Sequence, residues 1–455
     1  MIKSCALFAA IFAGLMPQTA LSAEIGGVSH SARSEASYLR AQLDPNDDPA
    51  WYVERSDNTS LRLSVLMQAR YMYSIRERGF ISADDIQTTG FSMPRTQVAL
   101  DGTIISSQFN YRISFDAGDA ELSRGSRNGG LLAAGMGSLR LLDAYAQYNF
   151  TGQREGYYFK FGQFQSIVMS EEAVDSSNQL AVERSLVSEI FGPGYTQGVA
   201  LGRVLSNYAW EFSVNDGGRT ILVREADNTS VTDPDGKDLG LSLRFDWKLQ
   251  GDWDQFADFT SWRGSNRGMK LGAGVMYQFA GQFNPATTTI SLFPDTLETM
   301  NSVTWTVDYQ YEGDGWNFFA AYIGTYVDFD FVDGGTFDRI HSIHHGFVAQ
   351  GGWFITEDVE WYARAELMYI DEIFRDSFSL PQGEQYRIAT IGVNKYLLPD
   401  SHAAKISADL SYAFDPLTVL TVGSTTLGLP DPGTTGFTGL TDEELLFRLQ
   451  LQLLF

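Results

Sequence analysis

Apolar and polar residues alternate with a period of two along most of the chain. In the stretch LSVLMQARYMYS, every second side chain from Leu63 to Tyr73 is apolar or aromatic, and most of the intervening ones are polar. Successive side chains of a β-strand point to opposite faces, so this spacing predicts strands with one apolar and one polar face. The sequence therefore predicts an all-β fold.

About sixteen such segments, each of roughly ten residues, follow one another along the chain. The connections alternate between short ones, such as VLSN near Ser206, and long ones, such as residues 215–236. One connection, residues 250–268 (QGDWDQFADFTSWRGSNRG), should be short on this pattern and is not. Alternating connections over an even strand count are typical of a transmembrane antiparallel β-barrel, with short turns in the periplasm and long loops outside.

The last segment, EELLFRLQLQLLF, places apolar residues at every second position from Phe447 to Phe455. In hydrocarbon every backbone donor and acceptor must be paired within the protein, so a sheet must close on itself. We expect this segment to be the closing strand, and Phe455 to be recognised by the barrel-assembly machinery. A half-buried strand of a soluble sandwich would explain the alternation, but not the strand count or the terminal aromatic residue.

The N-terminus indicates export. Residues 1–23 combine Lys3, an apolar stretch and small residues, as a secretory signal peptide does. A buried N-terminal helix is the alternative. Residues 24–58 are polar and are expected to form a periplasmic extension, either a tether or a plug, and residues 59–455 the barrel domain. No later stretch approaches the ~18 apolar residues of a transmembrane helix.

Composition excludes several classes of protein. The chain has 455 residues, a net charge of -24 and 19% charged residues, fewer than the roughly 25% of ordinary globular proteins. An acidic chain without a cluster of Lys and Arg is a poor binder of nucleic acid. The single cysteine, Cys5, lies in the signal segment, so disulfides and thiolate sites are not expected in the exported chain.

Two motifs suggest metal binding only weakly. HSIHH, residues 341–345, is expected to be a solvated cluster in a long loop. TDPDGKD, residues 232–238, resembles part of a calcium loop, but Arg244 stands where an EF-hand needs glutamate, so a turn is expected. No spacing of Ser, His and Asp nominates a catalytic centre, so the sequence predicts no catalytic residue, no metal site and no cofactor.

The longest informative linker, residues 165–194, follows the fifth segment. A barrel of sixteen strands leaves an aqueous channel, and so long a loop is unusual. We expect this third long loop to fold inward and narrow the pore, where fixed charges set ion preference. A loop that packs outside or caps the mouth is the alternative. The candidate charges at the constriction are Glu171, Glu172, Asp175, Glu183 and Arg184.

Charged residues of both signs also fall on the polar faces of the strands, which a barrel turns toward its lumen. Carboxylates such as Asp101, Asp143 and Glu366 share these faces with arginines. The pattern predicts a water-filled lumen of mixed charge. The arginines expected to face it are Arg70, Arg95, Arg112, Arg244 and Arg364.

Several stretches between residues 91 and 202 resemble, in their order, the phosphate-selective porins O and P. They are FSMPRTQVALDGTI, FNYRISFD, LRLLDAYAQYNF, YYFKFGQFQS, and SSNQLAVERSLV leading into FGPGYTQGVALG. The resemblance implies a sixteen-stranded outer-membrane porin, a homotrimer, that passes small anions such as phosphate. The residues at family-like positions are Arg95, Gly102, Asp116, Asp143, Tyr145, Gly162, Gln163, Arg184 and Gly198. The inward loop departs from the family pattern, because it is rich in Glu and Asp where phosphate-specific members use Arg and Lys.

The sequence as a whole predicts a general diffusion porin that lies among the lipids of the bacterial outer membrane. Solutes would cross a wet lumen passively, so no enzymatic activity is expected. A structural or adhesive barrel that acts through its long loops is an alternative, and a barrel enzyme is a weaker one. Conductance separates these functions, because a plugged barrel would show none.

Overall fold

The computed structural model describes residues 51–54, 59–76, 86–118, 139–151, 155–218, 239–280, 297–331, 339–371, 385–415, 417, 437 and 443–455. Most of these residues belong to one antiparallel β-sheet. In this part of the chain, no α-helix reaches the length and hydrophobicity that crossing a bilayer requires.

The described residues form one short strand and sixteen longer ones. The short strand is β1 (Trp51–Glu54), and the next eight are β2 (Ser60–Arg76), β3 (Ile86–Ile104), β4 (Ser106–Asp116), β5 (Arg140–Asn149), β6 (Gly156–Gln165), β7 (Tyr195–Val204), β8 (Tyr208–Asn215) and β9 (Leu239–Gln250). The remaining eight are β10 (Gly268–Ala280), β11 (Leu297–Gly313), β12 (Trp316–Phe331), β13 (Arg339–Phe354), β14 (Val359–Tyr369), β15 (Gln385–Tyr396), β16 (Ala404–Ala413) and β17 (Glu444–Leu454).

The sheet closes on itself between its last strand and its second. Each strand from β2 to β17 pairs with its neighbours in sequence, and β17 also pairs with β2. The seam runs from Glu444 opposite Arg76 to Leu454 opposite Leu66. Beyond it, the amide of Phe455 donates to the carbonyl oxygen of Val65 at 3.0 Å. The predicted closed barrel of sixteen strands is confirmed, and β1 adds a short ladder to β2.

The two faces of the wall differ in exposure, as the alternation predicts. On β9, Phe245 and Trp247 point outward and are 45% and 49% exposed, whereas Arg244 and Asp246 point inward and are 2% and 1% exposed. A bilayer would cover the outer face, since apolar side chains are stable in hydrocarbon and charged ones are not. The inner face is polar over most of the wall, and charged groups as buried as Arg244 and Asp246 need partners within the protein.

The expectation that HSIHH lies in a loop is wrong. Residues 341–345 belong to β13, which pairs with β12 throughout this stretch. His344 is fully buried on the inner face, and the Nδ1 atom of His345, on the outer face, lies 2.9 Å from the hydroxyl of Tyr322. Long strands of this barrel continue past the apolar belt, where polar residues are compatible with strand structure. The TDPDGKD motif lies outside the described residues.

Candidate functional site: the lumen and two inward segments

The segment between β6 and β7, residues 166–194, folds against the inner wall of the barrel, and we call it the inward loop. It contains two short helices, α1 (Ser170–Ala173) and α2 (Leu186–Phe191). The side chain of Ser185 caps α2 by accepting a hydrogen bond from the amide of Ser188 at 3.0 Å. At the base of the loop, the amide of Ser166 donates to the carbonyl oxygen of Gly194 at 2.8 Å. The predicted inward fold of this loop is therefore present.

One side of the inward loop is apolar and packs on an apolar part of the inner wall. Helix α2 lies against β12, β13 and β14. Val187 and Phe191 belong to the same buried cluster as Phe319 and Ile323 of β12. At Gly346 of β13, an added Cβ atom would lie 2.7 Å from a Cγ atom of Val187, so the absence of a side chain there lets the helix approach.

Polar side chains of the wall hold the backbone of the loop. Five loop carbonyl oxygens accept hydrogen bonds from wall side chains at 2.7 to 2.9 Å. These bonds satisfy backbone groups that have no partner in a ladder or a helix. The donor and acceptor pairs are Arg244 with Val168, Gln452 with Ser177, Lys405 with Gln179, Asn394 with Leu180, and Arg364 with Glu183.

Glu183 is the ionic anchor of the inward loop. Arg70 of β2 and Arg95 of β3 both donate to its Oε2 atom at 2.9 Å. Burial alone would raise the pKa of this carboxyl, but attraction to Arg95 and Arg70 outweighs burial and lowers the pKa well below its ordinary value. The group is therefore charged at neutral pH and ties two strands to the loop.

Glu171 and Arg184 shape the loop from within. The carboxylate of Glu171 accepts from the amide of Ser185 at 2.7 Å, and burial raises the pKa of this carboxyl despite the attraction of Arg364. The guanidinium of Arg184 donates to the carbonyl oxygen of Val174 at 2.7 Å. Both side chains fold the chain between α1 and α2 into a compact unit.

The five charged loop residues predicted for the constriction divide into two groups. Glu171, Glu172 and Glu183 are buried, with only 1 to 2% of their surface exposed. Asp175 and Arg184 remain partly exposed. The buried carboxylates hold the shape of the loop, whereas the exposed pair can meet water and solutes. A role in ion preference remains a prediction for all five residues.

A row of alternating charges runs across the inner face of β2, β3, β4 and β5. Arg62 donates to Asp101 at 3.0 Å, and Arg112 donates to Asp101 at 3.4 Å and to Asp143 at 3.2 Å. Ser114 also donates to Asp143 at 2.7 Å. The side chain of Arg112 is 16% exposed, so this row borders space that water can enter.

The other two predicted arginines are buried in ion pairs. Arg244 of β9 pairs with Asp246 at 2.6 Å and with Asp308 at 2.9 Å. Arg364 of β14 pairs with Glu366 at 2.8 Å. Both also donate to the inward loop, so they serve to attach it.

A second inward segment is the β9–β10 turn, residues 251–267, whose length the sequence showed without predicting its path. The ring of Trp262 lies 5.3 Å from that of Phe354 and 4.6 Å from that of Tyr396, and Phe259 lies 4.7 Å from Phe319. These partners belong to β12, β13 and β15, so the turn reaches across the short-turn end of the barrel. The apolar stretch FADFTSW is the sequence feature that could have indicated this path. A turn exposed to water would not need so many apolar side chains.

Polar contacts fix the same turn. The carbonyl oxygen of Asp258 accepts from Gln310 at 2.6 Å, and its carboxylate lies 3.5 Å from Nε2 of His402. The hydroxyl groups of Thr260 and Tyr396 lie 3.1 Å apart. The turn and the inward loop together fill much of the lumen beside β10–β17, and the loop also contacts β2, β3 and β9 through Arg70, Arg95 and Arg244.

A known protein family matches the stretch of the chain that runs from β2 to β9. Residues 67–251 match the family model of the phosphate-selective porin O and P family. The resemblance predicted from the sequence is thereby confirmed. The matched stretch holds the inward loop and the charged row on β3, β4 and β5. No curated protein sequence matches the chain.

Solved structures of outer-membrane proteins share the fold. OmpT of Vibrio cholerae, expressed in the outer membrane, aligns with a TM-score of 0.51 at 10% identity over 89% of this chain and 100% of its own. The outer-membrane channel DcaP of Acinetobacter baumannii aligns with a TM-score of 0.50 at 12% identity over 88% of this chain and 99% of its own. OmpT folded in vitro, in its trimer form, aligns with a TM-score of 0.50 at 13% sequence identity over 88% of this chain and 100% of its own. At these identities the likeness shows the fold alone.

The family match and the closed barrel support an outer-membrane channel for small solutes rather than an enzyme. They also support a position in the outer membrane, with the apolar face of the barrel toward lipid.

Proposed function

We propose that the protein is a passive outer-membrane channel for small hydrophilic solutes and ions, with small anions such as phosphate among its permeants. The observation that carries this proposal is a closed barrel whose inner wall is polar and charged, with a loop folded onto that wall from inside. Such a lumen passes solutes down their gradient and filters them by size and by fixed charge.

In this proposal the route for solutes runs past Arg62 and Arg112, on the part of the β2–β5 inner face that the loop contacts at Arg70 and Arg95 leave open. The inward loop and the β9–β10 turn fill most of the side of β10–β17, where they pack on apolar clusters of the wall and are held by its polar side chains. Partial exposure of Arg62 and Arg112 on the wall, and of Asp175 and Arg184 on the loop, supports a wet passage on the other side. Asp175, Arg184 and Glu189 are then the partly exposed charges of the inward loop that a solute can meet.

The charged row on β2–β5 bears on ion preference. A phosphate must compete with Asp101 and Asp143 for the guanidinium of Arg112, because both carboxylates already accept from it. We therefore expect an anion preference that is weak and that depends on Arg112. Arg70 and Arg95 contribute less, since they are buried against Glu183 and only 1% and 8% exposed, whereas Arg112 borders the lumen.

Assembly and export follow the same proposal. OmpT has been seen in a trimer form, and a homotrimer is the state we propose for this chain. Residues 1–23 would direct export, residues 24–58 would remain in the periplasm, and Phe455 would be recognised by the barrel-assembly machinery.

The test is conductance of the purified protein in planar bilayers under a salt gradient. We expect ohmic channels whose reversal potential shows that anions permeate more readily than cations. Addition of phosphate should decrease the chloride current. Replacement of Arg112 by glutamine should shift the reversal potential toward cations. The control is Arg387→Gln, because Arg387 points outward and its side chain is 57% exposed.

The outcomes separate the parts of the proposal. Absence of any conductance from folded protein would contradict the channel and favour a structural or adhesive barrel. Strong cation selectivity would contradict the anion assignment and leave the channel in place. An equal shift for both variants would contradict the route beside β2–β5.

A further inference from the structure

The outer face of the barrel carries an arginine at a depth where lipid head groups lie. Arg203 is the penultimate residue of β7, next to the short turn to β8. It shares the outward side of the strand with Val199 and Leu201, which are 42% and 41% exposed. Short turns of such barrels face the periplasm, so Arg203 lies near the periplasmic surface of the membrane.

Aromatic residues flank this arginine on both neighbouring strands. Tyr157 of β6 and Trp210 of β8 stand directly opposite Arg203 in the two ladders. The guanidinium carbon lies 4.6 Å from the centre of the Tyr157 ring, in a cation–π contact, and the Tyr157 and Trp210 rings lie 6.4 Å apart. The Tyr157 ring therefore holds the guanidinium on the lipid-facing surface, and the Trp210 ring packs edge-on against Tyr157.

The guanidinium of Arg203 has no acceptor within the part of the chain that the structure describes. Its Nε atom is covered and makes no hydrogen bond there. A ring face attracts the charge but does not accept the N–H groups in the geometry of an oxygen, so these donors require an oxygen from elsewhere. A planar guanidinium binds phosphate oxygens through two parallel hydrogen bonds.

Other outward cations of the barrel differ from Arg203 in this respect. Lys395, also next to a short turn, forms an ion pair with Asp358. Arg387 pairs with Asp415 at 2.8 Å. These cations are neutralised by the protein itself, whereas Arg203 lies against the Tyr157 ring without a carboxylate among its described contacts.

We propose that Arg203, Tyr157 and Trp210 form a binding site for the phosphate of a phospholipid head group at the periplasmic surface of the membrane. The two rings lie against the glycerol and upper acyl region, and the terminal nitrogens of Arg203 donate to the phosphate oxygens. The inference rests on the barrel spanning a bilayer, and not on which solute crosses the lumen.

The test measures binding of phosphatidylglycerol to the intact barrel by native mass spectrometry from detergent. Arg203→Gln should weaken binding of the first lipid roughly tenfold, as expected for loss of a charge-assisted pair. Lys395→Gln is the matched control and should bind as the wild type does. Arg203→Lys keeps the charge but loses the planar fork, so it should give an intermediate value.

Several results would overturn the site. Undiminished binding by Arg203→Gln, or an equal decrease in Lys395→Gln, would show that the lipid binds elsewhere or by charge alone. If Arg203→Gln does not assemble, the Arg203→Lys variant decides the question. Lipid binding as strong as that of the wild type would contradict the bidentate site, and weaker lipid binding would support it. Inorganic phosphate at millimolar concentration should not displace the lipid; displacement would assign the arginine to a free anion instead. Channel conductance, measured on the same variants, reports separately on the proposed function.

Discussion

At the scale of the residue, the arrangement of the lumen depends most on Glu183. It joins Arg70 and Arg95, which lie 113 and 88 positions away in the sequence. Removing one partner of a buried ionic group leaves the remaining charges without compensation, and this loss is larger than the net gain from making the pair. Glu183 therefore determines where the inward loop rests.

Replacement of Glu183 by glutamine should loosen the inward loop. Two buried arginines would face each other without their carboxylate, so we expect the free energy of unfolding to fall by about 3 kcal/mol. Single-channel conductance should rise and become noisier. Thermal unfolding in detergent and planar-bilayer recordings would measure both effects.

The control is Glu357→Gln. The side chain of Glu357 is 83% exposed and lies 3.7 Å from Arg263, so its ion pair should contribute less than about 1 kcal/mol. Equal stability losses in the two variants would contradict the role given to Glu183.

The same residue predicts a dependence on pH. The pKa of Glu183 is lowered in the folded protein, so its contribution to stability is present above the pKa of the unfolded chain, near 4.3. The stability difference between wild type and Glu183→Gln should stay constant between about pH 5 and 8 and shrink below about pH 4. Unfolding curves at a series of pH values would test this, and a difference that shrinks near pH 6 would contradict it.

The sequence predicts that Arg70 faces the lumen and that Glu183 lies in the inward loop, but it does not predict the ion pair between them. Alternation assigns a side chain to a face of its own strand and carries no information about a partner a hundred positions away. For the same reason, it could not show that Glu171 is buried while Asp175 is partly exposed. Contacts of the inward loop are set by tertiary packing.

At the scale of the element, β12 shows how a strand in this barrel departs from simple alternation. Phe319 and Ile323 point inward and are buried in the cluster that includes α2 and Phe259 of the β9–β10 turn, while Phe318 points outward and is 39% exposed. An apolar run on both faces of a strand is the sequence signal for such a contact. The alternation of the other strands predicted the barrel, but only the run in β12 could have indicated where the inward loop packs.

Replacement of Gly346 by valine should displace α2 from the wall. An added Cβ atom would lie 2.7 Å from a Cγ atom of Val187, so we expect a loss of about 1 to 3 kcal/mol from overpacking. Gly90 is the matched control in β3, because its Cβ would meet no atom within 4 Å. The temperature at which each variant loses the electrophoretic mobility of the folded barrel would measure its stability. Equal stability of the Gly346 and Gly90 variants would contradict the packing described.

At the scale of the whole molecule, the two inward segments make the lumen asymmetric. Helix α2 of the inward loop covers the inner wall at β12–β14, and the β9–β10 turn reaches across the barrel at the end where the short turns lie. A solute that enters from outside therefore meets the loop first and the turn later. The sequence predicted the first narrowing, but for the second it offered only the unexplained length of residues 250–268.

Shortening the β9–β10 turn should widen the exit of the channel. A variant in which residues 253–266 are replaced by a single glycine would lose Trp262 and Phe259, which pack on β12, β13 and β15. We expect a larger conductance and faster entry of sugars in liposome-swelling assays. Unchanged size exclusion in a folded variant would contradict an obstructing role for the turn.

The hydrogen bonds between β17 and β2 have a consequence for biogenesis. These strands are distant in the sequence, with Gln450 directly opposite Arg70, so the cylinder is sealed only when the final strand becomes available. Until then, both margins of the unfinished sheet expose unpaired amide and carbonyl groups that could join to other chains. A cell that makes this protein must shield those margins during secretion, and premature termination before residue 444 would yield a sheet with no means of closing.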